Sequence, residues 1–220
     1  MLKLISDHQH VQQKLRDAVK TALAAAVAES RLPTAEEITR TSIPYLDASI
    51  EESLRLGTPT PLVAREAMED TVLLGHRIPK GTALLISSVG PSFRSAPADV
   101  DDAARSETSR TKHWGGAWDP EDMEDFRPER WLREAEEEEE EGGRRRVTFD
   151  PQAGPFLTFS LGPRGCFGRK LAYLEMRLVL TLLLWKFQFR KLGGELASYK
   201  TEEAVTVMPA NCYVGIDLVE

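Results

Sequence analysis

The stretch FSLGPRGCFGRKLAYLEMRL, residues 159–178, decides how the rest of this chain is read. It places Cys166 between Gly165 and Gly168, two residues after Arg164 and directly before an apolar helical pattern. Glycines on both sides remove side chains, so the backbone can turn tightly and a flat body can approach the cysteine closely. The helix expected from about Gly168 aims its free N–H groups and positive end at the sulfur, which together with Arg164 favours thiolate over thiol. A thiolate held in this way can serve as nucleophile, redox centre or metal ligand. A nucleophile needs a basic partner, yet His8, His10, His76 and His113 lie in segments with no recognisable catalytic context. A dithiol centre needs a second cysteine close by, and Cys212 is far away in sequence, without C-x-x-C spacing. Axial ligation of a metal cofactor is the best chemical reading that remains. Taken alone, the motif also fits a small cysteine buried at a helix start.

Bulk properties bound the alternatives. With 220 residues, 41% of them apolar, the chain is long enough for one globular domain with a substantial core. Two widely separated cysteines suggest neither a disulfide framework nor a zinc site, and a reducing compartment is the default. No window has the apolar length to span a bilayer, and the start MLKLISDHQHVQQKL turns polar too soon for a signal peptide, so no anchor is expected. The formal charge of −7 is local: seven glutamates lie within residues 134–141, and without them the charge is zero. Three arginines, Arg144 to Arg146, follow at once, and REAEEEEEEGGRRR reads as a solvated loop insertion rather than a binding tail. No nucleic-acid partner is expected.

Outward from the cysteine, the expected fold is mainly α with small β-sheets, an α+β arrangement. Residues 8–56 read as helices: Val11, Leu15, Val19 and Leu23 recur every fourth position over 8–30. RLPTAEE then supplies a break and a new start, and Leu46, Ile50 and Leu54 share one face of a helix over 44–56, stopped by Pro59 and Pro61. Residues 57–90 form the β-hairpin region, where TVLLGHRIPKGTALLISSVG predicts two strands joined around Pro79, Lys80 and Gly81. Residues 91–155, rich in proline, glycine and charge, predict a long irregular segment whose middle, VDDAARSETSRTK, is flexible. In residues 156–186 the glycine motif leads into a helix marked by Leu171, Leu174, Leu178, Leu182 and Trp185, and residues 187–220 predict short terminal strands.

Three of these segments resemble a known family. Phe159, Gly162, Arg164, Cys166 and Gly168 are similar to the F-x-x-G-x-R-x-C-x-G haem-binding signature of cytochromes P450. EESLR supplies Glu52 and Arg55 in the E-x-x-R pattern of that family's K helix, and FRPERW places Arg130 in the meander before the haem loop. All three occur in family order, with the IPKGT turn between the first two. The resemblance implies haem b held by Cys166 as axial ligand and by Phe159, Gly162, Arg164 and Gly168 around it, with Arg65 as a second arginine for the propionates. It implies one charge network of Glu52, Arg55 and Arg130, for which the spacing and the planar guanidinium fork are suited. It also implies that Thr60, Pro61, Leu62 and Val63 border a pocket for a hydrophobic substrate.

By the same resemblance the chain takes part in a haem-thiolate monooxygenase that uses molecular oxygen and electrons from a reductase, with NADPH as their source. A full-length eukaryotic form would sit at the endoplasmic reticulum membrane facing the cytoplasm, and otherwise the protein would be cytoplasmic. Two other readings stand beside it: an isomerase or dehydratase with the same ligand set, and a non-catalytic remnant. The likeness runs from a J-helix-like start to the terminal strands and covers the family's C-terminal part. The family's I helix should precede residue 1, so the chain resembles a truncated member.

Overall fold

The structure, a computed structural model, describes residues 1–111, 118–140, 144–204 and 206–219. His113, and Glu141 of the acidic run, lie outside the described residues. The N-terminal periodicity is divided among three helices, α1 (Leu2–Asp7), α2 (Gln9–Ala22) and α3 (Ala24–Ala28), rather than one helix over 8–30. The chain leaves helical geometry at His8 (φ −114°, ψ 73°) and again at Leu23 (φ −110°, ψ 38°). Both joints serve burial, since Ile5, Val11, Leu15, Val19, Leu23 and Ala26 all reach the interior, which one straight helix could not arrange.

Thr34 then caps α4 (Ala35–Arg40) in a reciprocal capping box with Glu37. Pro44 occupies the first turn of α5 (Pro44–Leu56), where its missing N–H costs nothing. Leu46 and Ile50 of α5 join Ile38, Ile43 and the α2 residues in the main core. That core is closed by Leu180 and Leu184 from the long C-terminal helix and by Phe189 just after it.

The hairpin region differs from expectation. It holds four strands, β1 (Leu62–Glu66), β2 (Thr71–Leu73), β3 (His76–Ile78) and β4 (Ala83–Ser87). The tight turn is at Leu74 and Gly75, both at positive φ (48° and 78°), so β2 pairs with β3 through a two-residue loop. The turn at Pro79 to Gly81 instead carries β3 into β4, which pairs antiparallel with β1 from Leu62↔Ser87 to Glu66↔Ala83.

Residues 91–155 are less irregular than their composition suggests. They carry α6 (Glu107–Thr111), a 3-10 turn at Pro128–Trp131 and a second hairpin of β5 (Leu132–Glu140) and β6 (Arg144–Phe149). From Glu134 to Glu140 the acidic run is therefore a strand and not a loop. Its register sets Glu139 opposite Arg145 and Glu140 opposite Arg144. Charge density read along one segment misses the pairing of that segment with another.

In α7 (Arg169–Lys186) the buried residues are Leu180, Thr181 and Leu184, while Leu171, Leu174 and Leu182 are exposed. The helix is apolar on more than one side, and periodicity alone could not choose between the sides. The chain closes with β7 (Phe187–Arg190), β8 (Thr201–Glu203), β9 (Val207–Pro209) and β10 (Gly215–Leu218), in the antiparallel pairs β7–β10 and β8–β9. The whole is an α+β fold, with helices in the core and two-stranded sheets at its margins.

Candidate functional site

Cys166 lies on the loop that feeds α7, and it is exposed. The loop is folded by its own backbone: the Cys166 amide donates to the Phe159 carbonyl (2.8 Å) and the Gly165 amide to the Gly162 carbonyl (2.9 Å). Gly162 adopts φ +68°, a conformation that side chains disfavour, and a Cβ on Gly165 would stand 3.2 Å from the Gly162 carbonyl oxygen. Around the cysteine, Leu161, Arg164 and Phe167 are exposed, the Phe167 ring completely so. From β1, Arg65 reaches the same loop and donates to Ser160 Oγ (2.8 Å). Two guanidinium groups and one thiol thus belong to a single loop region with apolar side chains beside it. Thr60, Pro61 and Val63 are half-buried and Leu62 is exposed on the segment leading to Arg65.

Glu52 is the opposite case. It is wholly buried, and its carboxylate accepts five hydrogen bonds. Arg55 grips both oxygens (2.8 Å each), Arg130 Nε donates to one (2.9 Å), Trp131 Nε1 to the other (2.8 Å), and the Arg127 amide completes the set (3.1 Å). Arg55 continues to the carbonyls of Phe93 (2.6 Å) and Met123 (2.7 Å), and Arg130 to Asp122 Oδ1 (3.1 Å). Burial opposes ionisation of Asp122, but hydrogen bonds from Arg127 and Arg130 outweigh it and hold the carboxyl below its usual range. The Trp118 ring lies over both guanidiniums, 5.3 Å from Arg55 Cζ and 4.9 Å from Arg130 Cζ. The meander is thereby tied to α5.

Several of these partners are silent in the sequence. Trp131, Trp118 and the Arg127 amide have no motif that marks them, although the run from Arg127 to Trp131 brings an amide, a guanidinium and an indole together. Also unmarked is Tyr173 of α7, which donates to Glu51 on α5 and packs on Phe159 with ring centroids 5.4 Å apart. Among the described residues, no group of three or more His, Cys, Asp or Glu side chains could hold a metal ion by itself, and no helix is long and apolar enough to cross a membrane.

The chain matches the family model described as Cytochrome P450 over residues 1–91 and 117–215. It belongs to the cytochrome P450 family. Three similar P450 proteins illustrate the relationship. The chain is 38% identical over 226 residues to the cytochrome P450 monooxygenase TRI13 of Fusarium sporotrichioides, matching all of this chain and 38% of that protein. It is 39% identical over 223 residues to the Hps1-dma1 cluster cytochrome P450 monooxygenase cyp3.1 of Dothistroma septosporum, across 98% of this chain and 70% of the relative. With the cytochrome P450 monooxygenase xilC of Penicillium rubens the identity is 42% over 203 residues, 90% of this chain and 33% of that one. This P450 chain therefore spans little more than a third of the length of TRI13 and a third of xilC. P450 membership implies a haem cofactor. The family match leaves out residues 92–116, within the meander between β4 and the Glu52 network.

Proposed function

We propose that this P450 chain supplies the haem-holding part of a monooxygenase that inserts oxygen into an organic, hydrophobic substrate. The observation that carries the reading is the exposed Cys166 on a backbone-ordered glycine loop, served from the neighbouring strand by Arg65. The residues fit haem b. A thiolate is a soft iron ligand, the exposed Leu161 and Phe167 offer apolar surface to a flat ring, and the two cationic side chains suit paired carboxylates.

In this reading Cys166 is the axial ligand, Gly162 and Gly168 keep the loop free of side chains where the ring approaches, and Phe159 orients the Cys166 peptide through its carbonyl. Arg164 and Arg65 bind the propionates, and Ser160 holds Arg65 in place. The Glu52, Arg55 and Arg130 network fixes the meander against α5, and the hydrogen bond between Thr58 and Thr158 (3.3 Å) ties the end of α5 to the segment entering the loop. Thr60, Pro61, Leu62 and Val63 border the substrate and exclude water from it. When bound, haem supplies the activation of molecular oxygen for insertion into a C–H bond, with thiolate donation favouring O–O cleavage. Electrons come from an NADPH-dependent reductase, and a eukaryotic full-length form would work at the endoplasmic reticulum membrane, facing the cytoplasm, with a cytoplasmic site otherwise.

The test is the spectrum of the reduced, carbon monoxide-bound haem protein. A thiolate-type spectrum that is lost in Cys166→Ser and kept in Cys212→Ser is expected. The reverse pattern, or no thiolate spectrum in the parent, would overturn the reading.

A further inference from the structure

Glu51 and Glu52 are neighbours on α5 with opposite surroundings. Glu52 is saturated with donors, whereas Glu51, similarly buried, receives a hydrogen bond from the Tyr173 hydroxyl, and its Oε1 is buried with no partner among the described residues. A buried carboxyl so poorly served is costly in its charged form, and such a group calls for a physical explanation. Its contact leads straight to the cysteine loop. Tyr173 packs on Phe159 (5.4 Å), Arg169 at the start of α7 covers both rings (5.5 Å and 6.0 Å to the centroids), and the Phe159 carbonyl receives the Cys166 amide.

We infer that Glu51 is a positioning residue for the cysteine loop: through the Tyr173 hydroxyl it fixes the Phe159 ring and, with it, the peptide that receives the Cys166 amide. The importance of this geometry for iron rests on the proposed ligand role of Cys166. The position of the loop itself does not.

Charges facing Glu51 come from both helices. On α5, Asp47 stands one turn earlier and is paired with Arg177 of α7, and Glu52 with Arg55 occupies another face. On α7, Arg169 is the cation that acts on Glu51. Burial dominates, and it pushes the Glu51 carboxyl up to about 7 despite the Tyr173 hydrogen bond and Arg169, with Asp47 adding to the rise. The neutral acid therefore suits the packed loop, and ionisation leaves a poorly paired buried charge, which favours local opening toward water.

The experiment uses the full chain and follows amide hydrogen exchange at Cys166, whose N–H is held by the Phe159 carbonyl. Exchange rates are compared between the parent and the same protein with Glu51→Gln, which keeps an acceptor for Tyr173 but cannot ionise. The rates should coincide at about pH 6, and the parent should exchange about threefold faster than the Gln form at about pH 8, as the ionised carboxyl loosens the loop. Tyr173→Phe, which cuts the link without touching the charge, should speed exchange at both pH values. Parallel pH profiles for the parent and Glu51→Gln, or an unchanged rate in Tyr173→Phe, would overturn the role of Glu51. Because exchange reads the loop without haem, a missing thiolate spectrum in the parent would overturn ligation by Cys166 and leave this result standing.

Discussion

The Glu52 network and the Cys166 loop are built from the same materials, arginines and one anionic or ionisable centre, and reach opposite ends. Around Glu52 the carboxylate is fully served: five donors converge on it in the interior, and Trp118 covers the guanidiniums. Around Cys166 the amides of Gly165 and Cys166 bond within the loop, while Cys166, Arg164 and Phe167 stay exposed. A charge network holds a fold only when its desolvation is offset by complete pairing, and a ligand site works only when its reactive atom remains reachable. The contrast separates a part of this chain that is closed around its charge from a part that stays open.

Glu52→Ala tests the supporting part most severely. Arg55 and Arg130 would be left as buried cations without their carboxylate, and the loss should be on the order of 3–5 kcal/mol in urea unfolding, with little folded protein at ordinary temperature. A midpoint close to the parent's would show that the network does not hold the fold.

Its neighbour should respond with the opposite sign. The folded-state Glu51 carboxyl stays neutral to about 7, whereas the unfolded chain ionises it near its ordinary 4.5, so its penalty on folding grows between those values and is complete above them. Glu51→Gln should match the parent below pH 4.5 and exceed it at high pH by up to about 3 kcal/mol in unfolding experiments. A difference of the same size at all pH values would point to packing instead.

A smaller effect is expected where the network meets its cover. A Cβ built on Gly154 would collide with the Trp118 ring, so Gly154→Ala must displace the indole from the two guanidiniums. The expected cost is about 1–3 kcal/mol, with a change in tryptophan fluorescence. An unshifted emission would mean that Trp118 does not sit there.

Least affected of all should be Cys166→Ser. The cysteine is exposed, so stability without haem should change by about 0.5 kcal/mol or less, a midpoint shift near the limit of detection. A large loss would place Cys166 on the supporting side of the comparison.

Local pattern made much of this legible. The three-residue step from Glu52 to Arg55 is enough to pair them on one helix, and the apolar repeats at Val11, Leu15, Val19, Leu46 and Ile50 mark the faces that form the core. Glycine spacing marks the cysteine loop as a tight turn before a helix. What the sequence determined by itself is therefore what depends on neighbours within about one turn: helix faces, the helix start at Thr34 and Glu37, and the glycine turn of the cysteine loop. The hairpin turn at Leu74 and Gly75, the pairing of an acidic strand with a basic one, and the choice of Leu180 and Leu184 over Leu171 and Leu174 as the buried side of α7 were decided by the tertiary structure. The same is true of the two adjacent glutamates. Local spacing marks Glu52 through Arg55, but the rest of the difference between Glu51 and Glu52 lies far away in sequence, because a step of one residue turns a side chain by about 100° around the helix and aims it at a different neighbour. What waits on one side comes from distant Arg127, Arg130 and Trp131 of the meander, and on the other from Tyr173 of α7.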